Sequence, residues 1–206
     1  MADYRKIDTY LESHLDDSIA ELSRLVSQPS VGAQNLGLKE CAALVGDMLK
    51  ARGFEIKIMD TPGAPVVFGQ RKGKSAKTLL IYNHYDVQPP EPLELWETPP
   101  FEPSRREGKL FGRGVSDDKG HIAARLFAID ALLAADGGLP CNIKFIIEGE
   151  EETASVNLFE SMRYMRGERR SFHAQPNVVT MTATSTGVLS GMIRNQYTAS
   201  GAAPSM

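Results

Sequence analysis

Thr78-Leu79-Leu80-Ile81-Tyr82, followed at once by Asn83-His84-Tyr85-Asp86, is the stretch on which the fold turns. Five uncharged, mostly apolar residues predict a central strand covered on both faces, and the polar residues after it mark where strand becomes loop. Outward from this strand, helical and extended patterns alternate. Ile7, Leu11, Leu15, Ile19, Leu22 and Val26 recur every three or four residues and predict one long amphipathic helix, stopped by Pro29. Leu38, Ala42, Val45 and Leu49 predict a second helix, closed by Gly53. Phe54, Ile56 and Ile58 alternate with Glu55, Lys57 and Met59 as a half-buried strand does, and Val66-Val67-Phe68 reads as another short strand. Downstream come a Pro-rich loop over 89–103, a helix over 119–135, a strand over 142–147 and a short helix over 156–164. Such alternation predicts an α/β three-layer sandwich with a mostly parallel central sheet.

Composition narrows the function classes. The 206 residues are 42% hydrophobic and 24% charged, which suits a globular domain and excludes a disordered or fibrous chain. A net charge of −3 offers no broad footprint for nucleic acid or an anionic membrane. The most apolar stretch, 122–135, carries Arg125 and Asp130 and is shorter than the roughly 20 residues a bilayer needs. The first residues hold no apolar signal core, and Cys41 and Cys141 form no CxxC pair, so a cytoplasmic protein with free thiols is expected. From Ser171 to Met206 there is no Asp or Glu, and Arg194 is the sole Lys or Arg, which sets an expected boundary near residue 170.

Three segments place metal-type ligands where a predicted strand ends or a helix begins. In His84-Tyr85-Asp86, residues two apart in extended chain point the same way, so His84 and Asp86 share a side. A carboxylate beside an imidazole holds its tautomer and raises its basicity. Alone, the pair reads equally as a surface contact. Gly112-Arg113-Gly114-Val115-Ser116-Asp117-Asp118-Lys119-Gly120 puts two carboxylates at the start of a helix, where ordinary capping accounts for Asp118 better than for Asp117. Glu148-Gly149-Glu150-Glu151-Glu152 crowds four acids whose repulsion needs a cation or protons to offset it. Ligand sites of α/β folds gather at the carboxyl ends of strands, which is where this segment falls. Gly73-Lys74-Ser75 and Gly112-x-Gly114 lack the remaining glycines of phosphate and dinucleotide loops and read as turns.

Taken together and in this order, His-x-Asp, Gly-Arg-Gly-x-x-Asp-Asp-Lys-Gly and Glu-Gly-x-Glu-Glu resemble the co-catalytic zinc exopeptidases. That family includes carnosinase-like dipeptidases, aminoacylases, acetylornithine deacetylase and succinyl-diaminopimelate desuccinylase. The likeness runs from about Tyr10 to Met165 and takes in the stretch from Trp96 to Gly114. It implies a zinc-exopeptidase-like fold, here incomplete, with residues 1–170 as the N-terminal part of the catalytic domain. His84 and Glu152 look like ligands of separate zinc ions, Asp117 like the carboxylate bridging them, Asp86 like the residue orienting His84, and Glu151 like the general base. The Asp117–Asp118 peptide bond is expected to be cis. Two Zn²⁺ ions are implied, with Mn²⁺ or Co²⁺ as alternatives. The reaction implied is hydrolysis of an amide by a metal-activated water, in a dipeptide or other short peptide, or alternatively in an N-acyl amino acid. Asp117-Asp118-Lys119-Gly120 and Tyr85-Asp86-Val87-Gln88-Pro89 lean toward the dipeptidase branch. No nucleic-acid or membrane partner is expected, and full-length relatives are expected to be homodimers.

The chain departs from the family pattern in its last third. Members carry an inserted lid and dimerisation domain, a further Asp ligand expected here near 178–183, and a His ligand near the C-terminus. No acid lies in that window and no histidine follows His173. Neither His121 nor His173 reads as a replacement ligand. A truncated or frame-shifted member, without activity, is therefore the alternative expectation.

Overall fold

The computed structural model describes residues 4–158, 161–162 and, as backbone, 178–181. Helices α1 (Tyr4–Ser13), α2 (Leu15–Ser27) and α3 (Leu38–Ala51) precede strands β1 (Glu55–Met59), β2 (Val66–Arg71) and β3 (Thr78–His84). A small hairpin follows, β4 (Ser104–Arg106) with β5 (Lys109–Phe111), then α4 (Lys119–Asp136), β6 (Asn142–Glu148) and β7 (Val178–Met181). The main sheet runs β1-β2-β6-β3-β7. It is an α/β architecture with a mixed sheet: β3 pairs parallel with β6 and β7, while β2 pairs antiparallel with β1 and β6. The expectation of a mostly parallel sheet needs this correction for a local reason. No helix lies between β1 and β2, and strands joined by a short loop return antiparallel. β3 and β6 are linked through α4, and that crossover makes them parallel.

The larger core lies between the sheet and helices α3 and α4. Val45 and Leu49 of α3 and Ile122 and Leu126 of α4 pack with Val67, Ile81, Phe145 and Ile147 of the strands. Phe54 and Phe145 meet edge to face with centroids 5.5 Å apart. On the opposite face Met59, Val66, Phe68 and Ile146 form a smaller cluster with Leu80 and Leu158 against it. The expected helix over 156–164 is described only in part, at 158, 161 and 162, and His173 lies outside the described residues. Among the described residues no helix is long and apolar enough to cross a membrane, and both cysteines are free.

The single N-terminal helix is in fact two, bent at His14. The Ser13 hydroxyl donates to the Thr9 carbonyl at 2.7 Å, and His14 Nδ1 lies 3.0 Å from the Tyr10 carbonyl. Side chains that bond the preceding turn in this way compete with the helical ladder. β1 is an edge strand, so its Ile58 stays 42% exposed although it lies against Gly46 of α3. The close of α3 follows expectation, with Gly53 at φ 73, a left-handed position that glycine occupies without steric cost.

Candidate metal centre

β3 and β6 run side by side in register, so that His84 and Glu148 stand opposite each other at their carboxyl ends. α4 begins beside them. Three segments far apart in sequence therefore open onto one place, and the topology brings the predicted residues together. His84 Nε2 lies 3.0 Å from Asp117 Oδ1 and 3.9 Å from Glu151 Oε2. Ligand atoms of His84, Asp117 and Asp118 all fall within 4.8 Å of one another, as do those of His84, Glu151 and Glu152. The Asp117–Asp118 bond is cis.

The two aspartates do different things. The Asp117 side chain is 64% exposed, and Asp118 is buried. Asp118 Oδ2 accepts from the His84 backbone N–H at 3.0 Å and from the Asn83 amide at 2.7 Å, while His121 Nδ1 lies 2.5 Å from its other oxygen. Burial alone would raise its pKa, but His121, Asn83 and the His84 N–H outweigh that and hold the carboxyl below the usual range. Asp118 begins α4 without a side-chain capping bond, so helix capping does not account for it. His121 is engaged by Asp118 and stands outside both groups of ligand atoms.

The four acids of the Glu segment separate in the same way. Glu148 Oε1 accepts from the Tyr82 and Ser155 hydroxyls, and burial pushes its carboxyl above the ordinary value. Glu150 accepts from the Ala64 N–H at 3.2 Å, the Asn157 N–H at 3.0 Å and the Asn157 amide at 2.9 Å. Hydrogen bonds thus engage three of the four acids, Glu148, Glu150 and Glu152. Glu151, with its side chain 44% exposed, and Glu152 face His84. Gln88 donates to Glu152 Oε2 at 2.7 Å, and burial lifts the Glu152 carboxyl despite that bond. Gly149 is required for space: a Cβ there would sit 2.3 Å from the Tyr85 ring.

His84 is nearly buried, and burial alone would depress its imidazole. Its contact with Asp86 and the charges of Asp118, Asp86 and Glu151 overcome this and push the pKa up to about 9. Nδ1 lies 3.1 Å from the backbone oxygen of Asp86 and 3.4 Å from its Oδ1. Lys119, fully buried, donates to the Gln28 carbonyl at 2.6 Å, and burial lowers its pKa. Sequence reasoning missed the parts taken by Asn83, Gln88 and Glu150, because their partners lie up to 86 positions away. The donor set fits a divalent cation: one imidazole nitrogen and several carboxylate oxygens, close enough to share an ion and short of positive charge.

Comparison with known proteins points the same way. Residues 80–192 match the profile of peptidase family M20/M25/M40. A succinyl-diaminopimelate desuccinylase of Xylella fastidiosa (strain 9a5c) is 35% identical over 133 residues, covering 65% of this chain and 34% of that enzyme. The structure of human carnosine dipeptidase 1 superposes with a TM-score of 0.78 at 31% identity, covering 87% of this chain and 41% of that one. The M20 family metallo-carboxypeptidase Sso-CP2 of Sulfolobus solfataricus gives 0.70 at 35% identity, with coverages of 81% and 37%. The chain spans between about a third and a half of the length of the relatives it matches, 34% and 47% in two desuccinylases.

Proposed function

The chain belongs to peptidase family M20/M25/M40, and from that premise we propose that it is the catalytic portion of a metal-dependent hydrolase that cleaves the amide bond of dipeptides. One observation carries the reading: His84, Asp117, Glu151 and Glu152 converge at the strand ends with their ligand atoms within 4.8 Å of His84. Residues 1–170 supply this site. Two zinc ions would be held by His84 and Glu152, as ligands of separate ions, and by Asp117 as a ligand of both. Such ions would supply Lewis-acid chemistry at an amide carbonyl and at water. Glu151, whose carboxylate has no hydrogen bond among the described residues, would accept a proton from the attacking water and return it to the leaving amine. Water is thereby added across the C–N bond, giving a free acid and a free amine. Asp86 and Asp118 hold His84 from its ring and backbone sides.

A dipeptide is favoured over an N-acyl amino acid because Asp118 follows Asp117 in the manner of the dipeptidase branch, and carnosine dipeptidase 1 is among the structural relatives. The desuccinylase relatives keep the acyl amino acid as the second reading. Zinc calorimetry on the whole chain tests the centre. Two ions bound per chain are expected, one of them lost in His84→Ala. Cleavage of a dipeptide panel should fall at least about a hundredfold in Glu151→Gln with zinc binding retained. Zinc binding no tighter than that of Asp117→Asn would overturn the proposal.

A further inference from the structure

We propose that Asp86 is a positioning residue that clamps the Glu151–Glu152 turn to the end of β3, so that one side chain places both halves of the cation site. The clamp deepens the metal-hydrolase reading and rests on it for its consequence. The imidazole of His84 meets the main chain of Asp86 as well as its carboxylate. Its Nδ1 is closer to the Asp86 backbone oxygen, at 3.1 Å, than to Oδ1, at 3.4 Å, and any residue at this position carries that backbone oxygen.

The carboxylate reaches across to the other chain segment. Oδ1 accepts the Glu151 N–H at 3.2 Å and Oδ2 accepts the Glu152 N–H at 3.1 Å. These two N–H groups open the 3₁₀ turn Glu151–Thr153, where backbone donors have no partner within the turn. A buried, charged acceptor is the strongest partner they can have. Asp86 is fully buried. The space for it is made by Gly32, where an added Cβ would stand 2.9 Å from Asp86 Oδ2. Gly32 therefore answers to room for this oxygen, and the backbone at that position needs no left-handed conformation. Asp86 thus holds the Glu turn through its side chain, and His84 through its main chain together with that same carboxylate.

The test is amide hydrogen exchange at Glu151 and Glu152 in the whole chain without metal, followed by NMR, with a thermal melt of each variant. Both amides should be protected in the wild type and in His84→Ala. In Asp86→Ala both should exchange at least about tenfold faster, and in Asp86→Asn, which keeps a single acceptor oxygen, one of the two should. Gly32→Ala leaves Asp86 intact and crowds Oδ2, so it should accelerate Glu152 more than Glu151. Should Asp86→Ala fail to melt cooperatively, the order of the two amides in Gly32→Ala decides the matter. Unchanged exchange in a folded Asp86→Ala protein overturns the clamp. So does equal acceleration, or none, at both amides in Gly32→Ala. Protected amides in a chain that binds no zinc would leave the clamp standing and remove the metal-hydrolase reading.

Discussion

Two clusters of charge in this molecule, one at each end of the helical layer, are built on opposite plans. At the first, Arg52 lies just past α3 and reaches Glu21 of α2 and Asp130 of α4, each at 2.6 Å from Nη2. Nε bonds Asp130 again and Nη1 bonds Glu21 and the Met48 carbonyl, so every nitrogen of the guanidinium has a partner. The planar fork of arginine suits such paired carboxylates. At the second, one imidazole meets Asp117, Glu151 and Glu152, and the exposed oxygens of Asp117 and Glu151 face outward. The nearby Lys119 donates its hydrogen bond to a backbone carbonyl instead. A cluster that closes on itself joins helices. A cluster left short of positive charge has carboxylate oxygens to spare for the cation proposed above.

Four measurements would break or sharpen this contrast. The largest effect is expected at the open cluster, where Asp117→Asn should weaken zinc binding on the order of a thousandfold, about 4 kcal/mol, as read by calorimetry. Its urea midpoint should stay within error of the wild type. Arg52→Ala should behave in the converse way. It leaves Glu21 and Asp130 partly buried without a counter-charge, and urea denaturation should register a loss of about 3 kcal/mol with zinc affinity unchanged.

Next in size is a pH effect in the metal-free chain. The His84 pKa is raised from 6.5 to about 9 in the folded state. The stabilisation from its protonated form is complete below pH 6.5 and disappears as pH rises through 9, by at most about 3 kcal/mol. Urea titrations across that window should show the slope in the wild type and lose it in His84→Gln. The Arg52 cluster contributes nothing to it, because a guanidinium does not titrate there. The smallest effect concerns Ala154, which ends the Glu turn at φ 78, a left-handed position. Ala154→Gly should raise stability by roughly 1 kcal/mol, visible as a higher melting temperature. A loss there would mean that the turn adopts another backbone.

Much of the fold was legible because the signals are local. The apolar run of β3, the helical spacing of α3 and α4 and the breaker Gly53 each act within a few residues of themselves. The bend at His14 was not, since the 3.6-residue apolar stripe continues through it and only the Ser13 and His14 side chains interrupt the ladder. Nor was the edge position of β1, which depends on which strand pairs with which. At the site, residue type and place at element ends marked His84 and the two acidic segments as candidates, and only the family resemblance singled out Asp117, Glu151 and Glu152 among their neighbours. The separate duties of Asp118 and Glu150 were hidden, because adjacent acids look alike until their donors are known.

Residue chemistry and periodicity alone determined that this chain alternates helices with strands and carries an imidazole and carboxylates at the ends of those elements. Tertiary structure decided the rest. Non-local pairing made the sheet mixed, and donors from distant segments engaged Glu148, Glu150 and Asp118. The Asp86 carboxylate went to the amides of the Glu turn. The physical reason is that propensity and spacing are properties of neighbours in sequence, whereas hydrogen bonding and burial depend on neighbours in space.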